Sequence, residues 1–304
     1  MADGDKYFAA FVMTYERDGI ILNTINSLLS QTFPPQKILV VDNSISLASQ
    51  KVIKNLDNPT VAYYRVGFNS GPAGAANSGL KLLTSEGYEW IYWGDDDNPP
   101  VDKSSFERIF NAVRRYQADG IRIGITGERG GIMNKYTGRT RNLSNRELKQ
   151  DIEVDFITGG QIMVINRQVI VDGILPNPRL FFGFEELDFC LRAKRHNYQI
   201  KIDGTKWLED RQRANNQNAK YRWRGRSIGK PELLWRQYYS TRNMLNILIR
   251  NHLYIAFVYT FVKLPFKILW GFRYGFQYGA QYLITQVKAV YHFTKGRYDQ
   301  LNFN

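Results

Sequence analysis

Three consecutive carboxylates, Asp95, Asp96 and Asp97, end the apolar run in "EWIYWGDDDNPP" (89–100). Adjacent like charges repel, and each needs water or a counter-charge. At a strand end, alternating side chains aim Asp95 and Asp97 to the same side. Oxygen ligands of this kind suit Mg²⁺ or Mn²⁺, which usually take one or two carboxylates together with substrate phosphates. Such an ion would neutralise the acids and clamp a diphosphate leaving group. The plainer reading is a solvated acidic turn, because "DDDNPP" is also turn chemistry. Trp90, Ile91, Tyr92 and Trp93 immediately before the triplet weigh against that.

A second acidic group stands in "FFGFEELDFCLRAKR" (181–195). Glu185, Glu186 and Asp188 fall at the start of an expected helix, where the dipole favours anions, so helix stabilisation alone could account for them. Three acids behind an aromatic run could also set a general base beside an acceptor hydroxyl. Leu187, Cys190 and Leu191 form the stripe expected to be buried, which reads Cys190 as core rather than nucleophile. With one cysteine there is no internal disulfide, and a reducing compartment fits.

The elements that must position these groups alternate. Expected strands are 7–15, 37–43, 61–66, 88–94 and 121–127, and the stretches between them have helical spacing, such as Ile21, Leu22, Ile25, Leu28 and Leu29. Runs apolar on both faces argue for a parallel sheet covered by helices. Residues 128–152 read as a long polar loop, 154–166 as a strand, and Glu185 to about Asn197 as a helix. In such sheets ligands sit beyond the carboxyl ends of the strands. There the sequence offers Thr14 to Arg17, then Asp42 and Asn43, then the glycine-bearing "NSGPAGAANSG" (69–79), then the Asp triplet. An Asp on that rim can accept hydrogen bonds from a ribose or base edge. Gly71, Gly74 and Gly79 let backbone approach a ligand closely. Taken singly, each is an ordinary turn residue.

The net charge of +13 belongs to the last third of the chain. Residues 1–210 carry 25 Lys/Arg against 26 Asp/Glu, and residues 211–304 carry 16 against two, Glu232 and Asp299. That asymmetry marks a boundary and a partner together. Residues 211–230 read as a basic mobile loop with Arg211, Arg213, Arg222, Arg224 and Arg226, either solvated or closing over a phosphate. Residues 231–304 read as two or three aromatic-rich helices. Aromatics interleaved with cations suit the headgroup region of an anionic membrane. Nucleic-acid binding and a packing or homodimer interface are the competing readings, with nucleic acid the least favoured. The most apolar stretch, 253–270, carries Lys263, Pro265 and Lys267 and is expected to fall short of a spanning segment. No signal peptide is visible in the opening residues. The expected location is therefore peripheral, on the cytoplasmic face of a membrane.

Together "VMTYERDG", "ILVVDNS", "NSGPAGAANSG", "WGDDDNPP", "TGGQIMVIN" and "FEELDFCLR" resemble the family 2 glycosyltransferases of GT-A fold, in the family's order, over about residues 7–210. The run "RQYYSTRN" (236–243) is similar to one in the rhamnosyl- and galactofuranosyltransferase-like branch. The resemblance implies a Rossmann-like, mostly parallel α/β sheet, with donor binding in 1–127, an acceptor and catalytic part in 128–210, and a C-terminal helical extension. It implies an inverting transferase that moves a sugar from a nucleotide-diphosphate donor to a glycan or lipid-linked acceptor in cell-surface polysaccharide synthesis. It assigns Thr14, Glu16, Asp42, Asn43, Gly71, Gly74 and Asn77 to the nucleotide, with Asp96 near the donor and Gly159, Gly160 and Gln161 beside donor sugar or acceptor. Asp95 and Asp97 match the family's Mn²⁺- or Mg²⁺-binding motif, and Glu186 its base position, with Glu185 the nearest competitor. Two departures stand out. Glu209 occupies the place of a frequent metal-binding histidine and is taken as third ligand, and the base is Glu rather than Asp. A metal-dependent nucleotidyltransferase and an inactive binding relative are the rival functions.

Overall fold

The computed structural model describes residues 6–213 and 229–298. Four strands, β1 (Phe8–Thr14), β2 (Ile38–Asp42), β3 (Val61–Arg65) and β4 (Trp90–Asp95), run parallel in the order β3-β2-β1-β4. They alternate with α1 (Asp18–Leu29), α2 (Ala48–Asn55) and α3 (Gly71–Ser85), and α4 (Ser105–Ala118) follows β4. Strand β1 shows why the sequence here is apolar without alternation. Its Phe8, Ala10 and Val12 join Ile21, Ile25 and Phe110 on one face, while Ala9, Phe11 and Met13 join Ala76 and Leu80 on the other. A sheet covered on both sides leaves no polar face to alternate with.

Past β4 the sheet is mixed rather than parallel. Strand β10 (Met163–Asn166) inserts antiparallel between β4 and β5 (Ile123–Gly127). Beyond β5 lie β11 (Gln199–Asp203), parallel to it, and the antiparallel edge β8 (Asp151–Glu153), which completes eight strands. The single strand expected over 154–166 is two, β9 (Phe156–Ile157) and β10, broken by a turn in which Gly160 takes φ 69°. The expected loop 128–152 holds β6 (Gly130–Met133) and β7 (Thr140–Asn142), which pair with β9 in a small second sheet, as well as β8. These strands span three or four residues, too short for a period-two signal.

Helices α5 (Arg167–Val171) and α6 (Glu185–Arg195) follow, and α7 (Gly204–Arg213), with Trp207 and Arg211 buried, takes in Arg211 and Arg213 of the expected basic loop. Arg222, Arg224 and Arg226 of the expected basic loop lie outside the described residues. The C-terminal part is three helices, α8 (Leu234–Arg250), α9 (Tyr254–Gly271) and α10 (Phe276–Thr294). Helix α8 is built into the rest: Ile247 packs on Ala73 and Leu180, and Met244 and Leu248 pack on Met133 and Leu187. Helix α9 continues through Pro265, and by length and composition the 21-residue stretch Tyr254–Tyr274 is long and apolar enough to cross a membrane. The shortfall expected from Lys263, Pro265 and Lys267 is thus not met.

Contact between α3 and β1 depends on a missing side chain. A Cβ on Gly79 would stand 2.6 Å from the Phe11 ring. Gly79→Ala should therefore lower stability by about 1–3 kcal/mol, because Phe11 has no free volume into which to move. Chemical denaturation checks this, and an unchanged midpoint would contradict the packing.

Candidate active site

Arg17 is the counter-charge for two members of the Asp triplet. Its Nη1 donates to Asp97 Oδ2 at 2.5 Å and to Asp96 Oδ1 at 3.1 Å. Asp96 is buried and ties three elements together: Thr14 Oγ1 donates to its Oδ2 at 2.7 Å and Thr24 Oγ1 to its main-chain oxygen at 2.6 Å. Burial pushes the Asp96 carboxyl up, and the Thr14 hydroxyl and Arg17 draw it back. Asp95 has no hydrogen-bonded counter-charge among the described residues. Burial, followed by the charges of Asp97 and Asp96, pushes it up to about 6, with Arg17 opposing.

Asp95 faces a small cavity with Asn98, Thr158, Gly160, Gln161 and Glu186, floored by Tyr92, Trp93 and Met163. The Gly159–Gly160 turn lies between the two acids. A Cβ on Gly159 would stand 2.9 Å from Glu186 Oε1, and one on Gly160 would stand 3.8 Å from Asp95 Oδ2. Any side chain at Gly159 would fill the space in front of the glutamate. Glu185 is buried too, and its Oε2 has no hydrogen-bond partner among the described residues. Burial, with Asp95 adding to it, pushes Glu185 up to about 7. Glu186 is raised well above the usual carboxylate range by burial and then by the charges of Glu185 and Asp95. Two carboxyls thus line one cavity with a third buried beside it, and raised values are the expected response to lost hydration and like charge.

Other expected site residues are committed elsewhere. Asp188 is fully buried against Arg192, at 2.9 Å, and its Oδ1 lies 3.5 Å from Asn251 Nδ2. Both of its oxygens are thereby spent on holding α6 in place. Glu209 points outward on α7, 4.0 Å from Arg213, while the neighbouring Asp210 pairs with Lys206. Among the described residues no group of three or more His, Cys, Asp or Glu converges in a way that could hold a metal, so Glu209 does not join Asp95 and Asp97 as a third ligand. Asp42 is buried, accepting from Ser44 N–H and the Tyr63 hydroxyl, both at 2.7 Å, and so braces the rim from beneath. Asn77 Nδ2 donates to the Pro176 carbonyl at 2.8 Å, which fastens α3 to the chain before α6.

The glycine run reads differently in three dimensions. It forms the first turns of α3, and Gly74 and Gly79 serve close packing on Ser70 and Phe11. Gly71, at φ 69°, lets the helix start touch the Phe181 carbonyl, which a Cβ would meet at 2.2 Å. Glu16, also at positive φ, accepts from the Ile45 and Ser46 N–H groups at 2.7 and 2.9 Å and from the Ser46 hydroxyl at 2.5 Å, and these bonds, the hydroxyl's first, hold its carboxyl below its usual range. Asn43 joins Gly71 O and Ser70 at 3.0 and 2.8 Å. Together these bonds close a rim loop over β2 and α3. Arg17, Asn98 and Thr158 escaped assignment from sequence. For Arg17 the available signal was a cation three residues past the end of β1, on the rim that carries the Asp triplet.

Residues 10–171 match the family model for glycosyl transferase family 2. Galactofuranosyltransferase GlfT1 of Mycolicibacterium smegmatis is 22% identical over 201 residues, 61% of this chain; the chain spans 65% of that relative's length. Among solved structures, GalNAc-T7 with UDP, GalNAc and Mn²⁺ superposes with a TM-score of 0.52 at 14% identity, over 65% of this chain and 42% of that one. Mannosyltransferase PcManGT from Pyrobaculum calidifontis, in complex with GDP-Man and Mn²⁺, gives 0.51 at 12% identity, over 95% and 79%. Residues 1–349 of S. aureus TarS, in complex with UDP, give 0.50 at 16%, over 98% and 94%. These likenesses establish the GT-A fold.

Two outcomes follow from the electrostatics. Asp188→Asn should cost about 3–5 kcal/mol in urea denaturation by stranding a largely buried Arg192; a variant of parental stability would return Asp188 to the candidate catalytic set. The raised carboxyls carry the opposite sign. Their folded values exceed their unfolded ones, so the stability they confer is full at low pH. It is lost as pH rises through about 6 for Asp95 and about 7 for Glu185. Glu186→Gln should therefore exceed the parent in melting temperature at about pH 8, with the gap closing near pH 4. A gap independent of pH would contradict the buried cluster.

Proposed function

The chain belongs to glycosyl transferase family 2, and we propose that it moves a sugar from a nucleotide-diphosphate donor, UDP- or dTDP-linked, to a glycan or lipid-linked acceptor in cell-surface polysaccharide synthesis, with inversion at the anomeric carbon. One observation carries this: Glu186 and Asp95 face each other across the side-chain-free Gly159–Gly160 turn, in a cavity beyond the end of β4. Glu186 lines that cavity and Glu185 does not, which favours Glu186 as the base. Its raised value makes it a stronger proton acceptor once ionised. As the acceptor oxygen bonds to the anomeric carbon and the bond to the donor phosphate breaks, the hydroxyl proton passes to Glu186. Asn98 and Gln161 offer side-chain amides to orient sugar hydroxyls, and Trp93 and Met163 keep water from the floor.

The oxygen donors fit Mn²⁺ or Mg²⁺ held jointly with a substrate rather than by protein alone. Asp95 and Asp97 would be the ligands, with phosphate oxygens completing the set, and Arg17 would have to yield Asp97. An ion bound there would neutralise charge on the departing diphosphate. Until then Arg17 stays paired with Asp96 and Asp97.

Membrane attachment at the cytoplasmic face is part of the same reading. On α9, Ile255, Val258, Val262, Phe266 and Leu269 lie on one face and are exposed, as are Phe276, Ile284 and Val287 on α10. Isolated exposed apolar residues are ordinary, but a contiguous patch of this size is not. Lys263, Lys267, Arg273 and Lys288 share these two helices and the turn between them, and no acid does, so the patch suits an anionic lipid surface. α9 packs along α10, and lysines sit at its middle, which favours lying in the interface over spanning.

Glu186→Gln should keep binding of nucleoside diphosphate with Mn²⁺ while transfer falls by about a hundredfold or more. Released nucleoside diphosphate is the readout; near-parental turnover removes the base, and pyrophosphate release would instead mark a nucleotidyltransferase. The triple variant Ile255→Ser, Phe266→Ser, Leu269→Ser should no longer pellet with anionic liposomes. Pelleting equal to the parent's overturns the attachment, and so does a change in oligomeric state without lipid.

A further inference from the structure

We propose that Arg242 and Asn243 of α8 are positioning residues that hold the 180–184 turn, and through it set Glu186 at the cavity. The inference rests on the reading of Glu186 as the base. The turn has a backbone that L side chains rarely adopt: Phe181 has φ 60°, Gly183 φ 84° and Phe184 φ 71°, and α6 starts at the next residue with no side-chain cap. Such a path persists only where its surroundings over-determine it. Here those surroundings come from a helix about 60 residues further along the chain.

Asn243 Nδ2 donates to the carbonyls of Leu180, Phe182 and Gly183 at 2.9, 2.9 and 3.1 Å. Arg242 fixes which end of that amide faces the turn. Its Nε and Nη2 donate to Asn243 Oδ1 at 3.1 and 3.0 Å, and a guanidinium can only donate, so the oxygen must face Arg242 and the NH₂ the turn. Arg242 Nη2 also reaches Leu180 O at 3.0 Å. Both residues are fully buried, and the guanidinium rests against the Tyr238 and Tyr239 rings. The turn's own rings dock on the same helix, Phe181 on Tyr239 at 5.4 Å and Phe182 on Trp235 at 4.8 Å. From the other side the start of α3 meets the Phe181 carbonyl through Gly71. The turn is thus gripped between a helix of the donor half and a helix of the C-terminal part. With its carbonyls occupied it cannot relax into a continuous helix that would rotate Glu185 and Glu186 away from Asp95. In this arrangement "RQYYSTRN" belongs to the catalytic unit.

Asn243→Leu keeps the size and removes the donor, and Arg242→Lys keeps the charge and removes the fork. The first test needs no substrate. The pH-dependent gap in melting temperature that Glu186→Gln opens in the full chain is measured again in each of these two backgrounds. It should shrink to less than about half in Asn243→Leu and lie between that and the parental gap in Arg242→Lys; an unchanged gap in both overturns the proposal. The second test is kinetic. Expected is a fall in kcat of about tenfold or more, an acid limb moved toward the ordinary carboxylate range, and UDP or dTDP binding with Mn²⁺ within about threefold. Losses in step with the folded fraction, with the limb unmoved, would make the contact structural only and overturn it. Should Asn243→Leu not fold, Arg242→Lys and Asn243→Ser carry both tests. If the parent transfers no sugar while the melting gap behaves as expected, it is the transferase reading that fails.

Discussion

Three carboxyls, Asp95, Glu185 and Glu186, stand close together without a hydrogen-bonded counter-charge among the described residues, Glu185 buried and the other two lining one cavity, and the surrounding structure is organised to hold them there. Left to itself such a cluster would draw in water or move apart, because lost hydration and mutual repulsion act in the same direction. The acids around it are ion-paired or hydrogen-bonded to other partners and kept out of it. Arg17 takes Asp96 and Asp97, Arg192 takes Asp188, and Tyr63 with the Ser44 amide takes Asp42. The carboxyls left without a hydrogen-bonded counter-charge are thereby confined to Asp95 and the two glutamates at the start of α6.

Confinement requires rigid walls. The mixed part of the sheet supplies one: antiparallel β10, wedged between β4 and β5, brings the Gly159–Gly160 turn back over the end of β4. The second wall is the start of α6, whose approach is set from α3 on one side and α8 on the other. Neither wall is local in sequence. The Thr14–Asp96 bond spans 82 residues and the Asn243–Leu180 bond 63. Of the C-terminal helices, α8 holds the 180–184 turn, while α9 and α10 leave an apolar, basic surface outward.

Residue types and spacing by themselves determined the strands β1 to β4, the helices α1 and α4, the two acidic groups and the basic character of the last third. Each is written in neighbouring residues, as an apolar period, a strand end or a charge count, and needs no knowledge of distant partners. Only the tertiary structure decided which acids are free. Asp188 and Glu186 are both acids of one first helical turn, yet one meets Arg192 and the other meets Gly159. Only the structure turned the Gly-rich run into helix α3, because glycine's low helix propensity is outweighed where Phe11 and the Phe181 carbonyl demand the absence of a Cβ. The short strands β6, β7 and β8 lacked any periodic signal, and their pairing supplies what their sequence does not. Ionisation follows the same division: the sequence places a carboxyl, while the dielectric and the charges around it, brought together from every part of the chain, fix its proton.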